Sequence, residues 1–558
     1  MRLRPEDEIR AIWRTVTRHC FRDGGFIWGD PRTGDSVNDA EQLLCILAPA
    51  TELPSMLVDR PDATDPANLA ALQLLGAPDE VPIRLARTMH EYLLRWRDER
   101  GDPVFSGGRY LPAAPGADLL DGYVISVRFS LAAIGFCKVL HSVRPDTLLP
   151  QIIRLASMRL TAAMVGLLRS FSVHFFDEES PAGHRLRALV HQQGRSEPAV
   201  LAELTHALQE IRVGVFDMLI GVNFTAESLA SAPAMFDMGW TWGVISDAPQ
   251  VETLPVTARQ PAGIARDHPD PGLTLLAVEA ITGLFSQRTR LLTLLDEEQN
   301  RLSRALQLRY DLARNYWSNV ATFGDHRWPL ERGPWTATDG STGDRHTVAV
   351  AGLTAHNLRG RRGSPDVPLA YLLRACADIG RRHGVVRPPL DGPPAVRPRA
   401  GAELVPAPSP HRDDLVRGVG TVLPDLFAVL LHAAGLTDNG PLRRQYEDLA
   451  DVLWEHVAPG AHLAPDWRHL LRVTDGLTHA VLVSDGGTVP FAAPLALAHQ
   501  LMTEADELAA AIADDSGHRS RLQARLDHAR RLTDRQPGTA VALLTQVILE
   551  LVSLNPDT

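Results

Sequence analysis

Lysine is all but missing from this sequence: of its 56 basic residues only Lys138 is not an arginine. A Walker-type phosphate loop requires a lysine directly after its glycines. Lys138 sits instead in F-C-K-V-L, so P-loop nucleotide hydrolysis is excluded in that form. With so much Ala, Leu, Pro and Gly, the arginine excess reads as GC-rich coding bias, not as a functional arginine surface. Cysteine is scarce as well. Cys20, Cys45, Cys137 and Cys376 stand far apart with no C-x-x-C spacing, which excludes a disulfide scaffold or a cysteine zinc site and predicts buried free thiols. Long apolar runs are missing: 423–436 is among the longest and carries Pro, Asp and His, short of the roughly 18 residues a membrane span needs. Met1 to Glu8 is charged and has no apolar h-region. A soluble, cytoplasmic protein is expected.

Positive charge is in deficit too, the formal net charge being -11. That repels phosphate backbones, so neither nucleic acid nor an anionic membrane is an expected partner. Arg359, Arg361 and Arg362, with Arg381 and Arg382, flank a Pro-rich segment and read as a solvated surface. No G-x-G-x-x-G follows a strand, and H-E-x-x-H and G-x-S-x-G are absent, which removes dinucleotide, metallopeptidase and serine-hydrolase readings. Asp413-Asp414 and Asp514-Asp515 lack the further acid that a magnesium-diphosphate clamp wants, and read as N-caps or surface acids. No cofactor and no metal ligand set is indicated.

What is present is helix. At 558 residues with 45% hydrophobic and 22% charged residues, the chain is globular and too long for one ordinary core. Pro5, Asp65-Pro66, Pro82 and Glu197-Pro198 mark helix starts. Nearly continuous apolar stretches over 119–141 and 145–176 predict well-buried helices, with Gly166 allowing close contact. A helical pattern over 286–323 would reach roughly 55 Å if unbroken. Strand signals are almost absent. The divisions expected are an N-terminal helical region 1–247, a linker 248–272, a central helical region 273–384, a Pro-rich linker 385–411 and a C-terminal helical region 412–558. The last closes with two helices, 520–536 and 539–554, joined at Pro537-Gly538 as a helical hairpin.

The stretch from Trp335 to Val350, W-T-A-T-D-G-S-T-G-D-R-H-T-V-A-V, runs as a polar loop into an apolar helix expected near Thr347. A shorter version recurs downstream as Trp467, then Thr474-Asp475-Gly476 and His479, and a fainter one at Asp121-Gly122-Tyr123. F-I-W-G-D holds Trp28 and Asp30 before a helix carrying Asp39, and M-F-D-M-G-W-T-W-G holds Trp242. Helices that open from Gly-, Trp- and Asp-rich loops resemble the layout of α/α-toroid folds, so the fold class expected is all-α, α/α-toroid-like. In such a layout Asp121, Asp339 and Asp475 would serve as acid-base residues beside His346 and His479. Trp28, Asp30, Asp39, Trp242 and Trp335 would line the binding cavity. Crowded carboxylates raise one another's pKa towards neutrality, which is what general acid-base work requires. N-capping alone also places Asp before an apolar helix, and each histidine has an ordinary core or surface reading; both alternatives stay open.

The chain also resembles, over nearly its full length, a family of actinobacterial proteins of Streptomyces type. The matching stretches include S-V-N-D-A-E-Q-L-L-C, R-L-T-A-A-M-V-G-L-L-R-S-F, G-W-T-W-G-V and V-A-T-F-G-D-H-R-W-P-L. The resemblance implies no activity and no catalytic residue. It does imply gene neighbours, a variant P-loop protein and a candidate methyltransferase, and hence a multi-protein system. Two functions are therefore expected. One is a non-enzymatic component that binds a protein partner from the neighbouring genes, through the 286–323 helix or the C-terminal hairpin. The other is an enzyme acting on a small or lipid-like ligand in a tryptophan-lined cavity. The first is preferred, because a fold layout by itself supplies no reaction.

Overall fold

The computed structural model describes residues 3–22, 25–29, 36–59, 65–107, 118–218, 229–252, 260–324, 327–358, 365–385, 422–458 and 466–484, together with parts of 501–551. Among the described residues there are seventeen α-helices and three two-stranded antiparallel sheets. The protein is all-α and multi-helical.

Local signals start most of the helices. α1 (Pro5–Cys20) has proline at its first position and Glu6, Asp7 and Glu8 in its first turn, where acids offset the free amides and the helix dipole. It is followed by two strands of two residues each, β1 (Phe21–Arg22) paired antiparallel with β2 (Gly25–Phe26), and by α2 (Ser36–Glu52). α3 (Pro66–Ala71) is capped by Asp65, whose side chain accepts from Ala67 N. α4 (Val81–Arg95) again opens on a proline.

α5 (Leu120–Val143) and α6 (Leu148–Arg169) are the two helices long and apolar enough to cross a membrane among the described residues. Their apolar windows are nevertheless 89% and 72% buried inside the protein. A helix apolar all round belongs in a core, and α5 packs against α6, α2 and a later helix. Gly166 makes this possible, since a Cβ there would lie 2.4 Å from the Tyr123 ring. Between them sits Arg159, only 1% exposed. Its Nε donates to Ser126 Oγ and its terminal nitrogens to the carbonyls of Trp96 and Val104, while the Tyr92 and Phe105 rings flank its guanidinium.

The helix expected through residue 176 stops at Arg169. β3 (Phe171–Phe176) pairs antiparallel with β4 (Met235–Trp240), Phe171 opposite Trp240. The reason lies in the residues: F-S-V-H-F-F is aromatic and β-branched, which suits a pleated surface more than a helix. Its partner lies in the stretch expected to be a tryptophan-glycine loop. α7 (Pro181–Val190), α8 (Glu197–Phe216) and α9 (Pro271–Leu284) follow. The expected long helix is also divided. α10 (Gln287–Leu291) ends before Thr293, which adopts a positive φ of 47°. Asp296 then starts α11 (Glu297–Ala321) with a capping box to Gln299.

β5 (Trp335–Thr336) and β6 (Thr342–Gly343) form a hairpin. The remaining helices are α12 (Asp344–Leu358), α13 (Asp366–Arg382), α14 (Val422–Ala434), α15 (Gly440–Val457), α16 (Trp467–Ser484) and α17 (Gly517–Leu532).

The chain divides into two compact units, 1–284 with 295–481, and 285–294 with 482–558. α14, α15 and most of α16 group with the N-terminal helices in the first unit. Within the first unit α12 packs against α9, α11 and α14, and α14 against α15. In the second, Met502, Ala505, Leu522, Leu526, Ala529, Leu544, Val547 and Leu551 form a core cluster. Most of the expected 539–554 helix and residues 386–411 of the Pro-rich linker lie outside the described residues.

Gly166→Val would drive a side chain into the Tyr123 ring. Overpacking of this kind costs about 1–3 kcal/mol, so a clear drop in Tm is expected; an unchanged Tm would mean that α5 and α6 are not held this closely.

Candidate functional site

α16 carries a polar stripe through the interior of the first unit. Arg468, Arg472, Asp475 and His479 follow helical spacing and so share one face. Arg468 reaches Glu41 on α2 at 2.9 Å and Asp121 on α5 at 3.0 Å. Arg472 reaches Glu279 on α9 at 2.5 Å, Asp425 on α14 at 2.7 Å and Asp475 at 3.8 Å. Asp475 is in turn held by both terminal nitrogens of Arg128 on α5, one of them at 3.0 Å. One helix face thus binds four others through charge.

The electrostatics follow from burial. The Asp121 side chain is 0% exposed, and those of Arg468 and Arg472 are 14% and 5% exposed. Burial opposes the charge on both guanidinium groups, but the carboxylates around them outweigh it and hold each above its ordinary pKa. At Glu279 burial outweighs Arg472, and the carboxyl lies above its usual range. Arg128, Asp475 and Glu279 keep about a fifth to a quarter of their side-chain surface accessible.

His479 extends the stripe. Its ring lies 4.8 Å from that of His432 on α14, which stacks on His356 of α12 at 4.4 Å and 26°. Three helices therefore meet through a column of imidazoles.

The structure separates the residues read as one motif in the sequence. Thr474-Asp475-Gly476 is not a loop: it lies inside α16, and a Cβ at Gly476 would be 3.1 Å from the Phe427 ring. Asp121 sits in the first turn of α5, whose Leu120 N donates to the carbonyl of Trp242. Trp335 to Val350 does contain a true turn, with Gly340 at φ +95°, but α12 starts at Asp344, three residues before the expected Thr347. Trp335 is 2% exposed; its N donates to Thr347 Oγ1 and its ring meets Trp317 edge-on. His346 is buried on α12. Asp344 accepts from Arg382 Nε at 3.0 Å and meets His383 Nε2 at 3.1 Å. Burial raises this carboxyl, but the bonds from His383 and Arg382 prevail and hold it below its ordinary range.

Asp339 belongs to a different constellation from Asp121 and Asp475. Its Oδ1 accepts from Ser341 N and Oγ within the β5–β6 turn, and its charge bears on His268. The neighbouring Thr338 donates its hydroxyl to Asp237 Oδ2. Asp39 serves a third place: it accepts from Gly29 N at 3.1 Å and from Trp96 Nε1 at 3.1 Å. There it fixes the segment in which Trp28 packs on Phe26. Asp30 lies outside the described residues.

The stripe's other members, Glu41, Arg128, Glu279, Asp425, Arg468 and Arg472, were not singled out in the sequence. Arg468, Arg472 and Asp475 at helical spacing would have signalled it, had the D-G pair not been read as punctuation. His174, Asp237, Asp267 and His268 were also missed, although D-H-P-D at 267–270 is an unusual run.

Fold and site together define a multi-helical protein whose interior is crossed by an ion-paired seam. The chain belongs to the SCO2524-like family, named for a Streptomyces coelicolor gene, which matches residues 1–461 and 457–556. No curated protein and no solved structure matches it.

Removing one partner of a buried ion pair costs about 3–5 kcal/mol, because the other charge remains. Arg472→Met is accordingly expected to destabilise strongly, and adding Glu279→Gln to recover part of the loss; equal Tm values for the two variants would contradict this. Asp344, with its depressed folded-state pKa, stabilises the protein fully above the ordinary carboxyl value, about 3.9, and loses that contribution as pH falls through the folded value. The Tm gap between the wild type and Asp344→Asn should therefore shrink between about pH 6 and about pH 3. A constant gap would contradict it.

Proposed function

We propose that this protein is a non-enzymatic, cytoplasmic helical component of a multi-protein bacterial system. The observation that supports this reading is the pairing of Asp121 with Arg468 and of Asp475 with Arg128. Each carboxylate accepts charge-assisted hydrogen bonds from a guanidinium on another helix, which commits it to a contact between helices. These two acids then serve to fix α16 among α2, α5, α9 and α14, and a toroid-like ring of inner helices belongs to the same proposal. The partners are the products of neighbouring genes. A small-molecule ligand would reach the seam at Arg128, Glu279 and Asp475, where the side chains remain partly accessible.

The enzyme reading has one observation in its favour. The β5–β6 turn that carries Asp339 is joined through Thr338 to Asp237, the partner of His174, so acid-base chemistry would centre there.

Asp121→Asn and Asp475→Asn decide between the readings. Both are expected to lower Tm by several degrees, while the chain still co-elutes with its neighbouring gene products on co-expression at temperatures where it is folded. An unchanged Tm with loss of ligand binding or turnover would instead make these residues functional acids. A lone monomer on sizing in the presence of those gene products would contradict the component reading.

A further inference from the structure

β3, β4 and the loop before α9 bring together side chains that the seam does not use. His174 projects from β3, while Asp267 and His268 lie in the loop ahead of Pro271. One potential ligand atom from each of His174, Asp267 and His268 lies within 4.8 Å of the others. The two imidazole rings meet edge to face, with centroids 4.4 Å apart at 88°. Among the described residues this is the group of His, Cys, Asp and Glu side chains with metal-ligand proximity.

The surroundings match what a metal site requires. His174 Nδ1 lies 3.2 Å from Oδ1 of Asp237, directly opposite on β4. Asp237 is 1% exposed, and its other oxygen accepts from Thr338 on the β5–β6 turn. A proton on Nδ1 donated to this carboxylate leaves Nε2 with the lone pair a metal takes. Metal-bound histidines characteristically donate their second nitrogen to a carboxylate in this way. The expression of these residues as a site needs only a small closure, since zinc ligands at about 2.0–2.1 Å from the ion are separated by roughly 3.4 Å in a tetrahedron.

We propose that His174, His268 and Asp267 hold one divalent transition-metal ion, with Asp237 orienting His174 from behind. Two imidazoles and one carboxylate suit Zn2+, Co2+, Ni2+ or Fe2+ and disfavour Ca2+ and Mg2+, which take oxygen ligands. Three protein ligands leave at least one position for water or a bound group. The ion joins β3 to the loop before α9, and through Asp237 and Thr338 it is linked to the β5–β6 turn. The assignment is independent of the component reading above, and either can fail alone.

The test uses the full chain, stripped with chelator and titrated with Co2+ and with Zn2+. Calorimetry should give one ion per chain, Tm should rise with metal concentration, and Co2+ should develop visible d–d absorption. His268→Ala and Asp267→Asn, changes in a loop and at an exposed position, should abolish these signals while leaving the metal-free Tm close to wild type. Asp237→Asn should weaken binding by about 10–100-fold, the usual cost of losing an outer carboxylate. His184→Ala, at an exposed histidine that is not a member of the cluster, should change nothing. Absence of stoichiometric binding would overturn the proposal, and so would binding that survives His268→Ala with His174→Ala.

Discussion

Two guanidinium groups on α16, those of Arg468 and Arg472, occupy interior positions that a helix of this kind would ordinarily fill with leucine. Moving a charge from water into a protein interior costs several kcal/mol even after relaxation. The arrangement is tenable only because each arginine finds carboxylates at hydrogen-bond distance, Arg468 on α2 and α5, Arg472 on α9 and α14. Apolar packing tolerates a helix rotated or shifted by a fraction of a turn. These pairs do not, since any such shift would strand a buried charge. The rotation and height of α16 are therefore set by charge matching, and the helices that supply the carboxylates are set with it.

The same constraint bears on function. Residues that look like acid-base candidates in isolation acquire different chemistry once their partners are known. Asp121 and Asp475 face arginines, Asp39 faces backbone and indole donors, and Asp344 faces Arg382 and His383. Each accepts hydrogen bonds from donors fixed in the fold, which suits a positioning role. The imidazoles divide likewise, His356, His432 and His479 forming a column between helices while His174 and His268 gather beside Asp237 and Asp267.

How much of this was legible depended on the range of the interaction. Helix starts at Pro5, Pro66 and Glu197 are written in adjacent residues, as is the burial of α5 and α6 in their all-apolar faces. The free, buried state of all four cysteines follows from their spacing. Pairings over long separations were invisible: Arg128 meets Asp475, and Asp121 meets Arg468, each across 347 positions. β3 and β4 fall in the same category, because neither strand has its partner nearby in the chain. Local signals also misled where tertiary packing overrode them. Gly476 reads as a turn residue but serves close contact with α14, and a steady leucine pattern over 286–323 concealed the break at Thr293 and the Asp296 cap.

The most direct measure of the seam is a double-mutant cycle on Arg468 and Asp121, using Arg468→Met and Asp121→Asn with unfolding free energies from denaturant titration. Contacting residues in one network couple by about 0.5–3 kcal/mol, and a pair this buried is expected in the upper half of that range. A coupling near zero, as found for many exposed pairs, would contradict the claim that buried charge holds α16 in place.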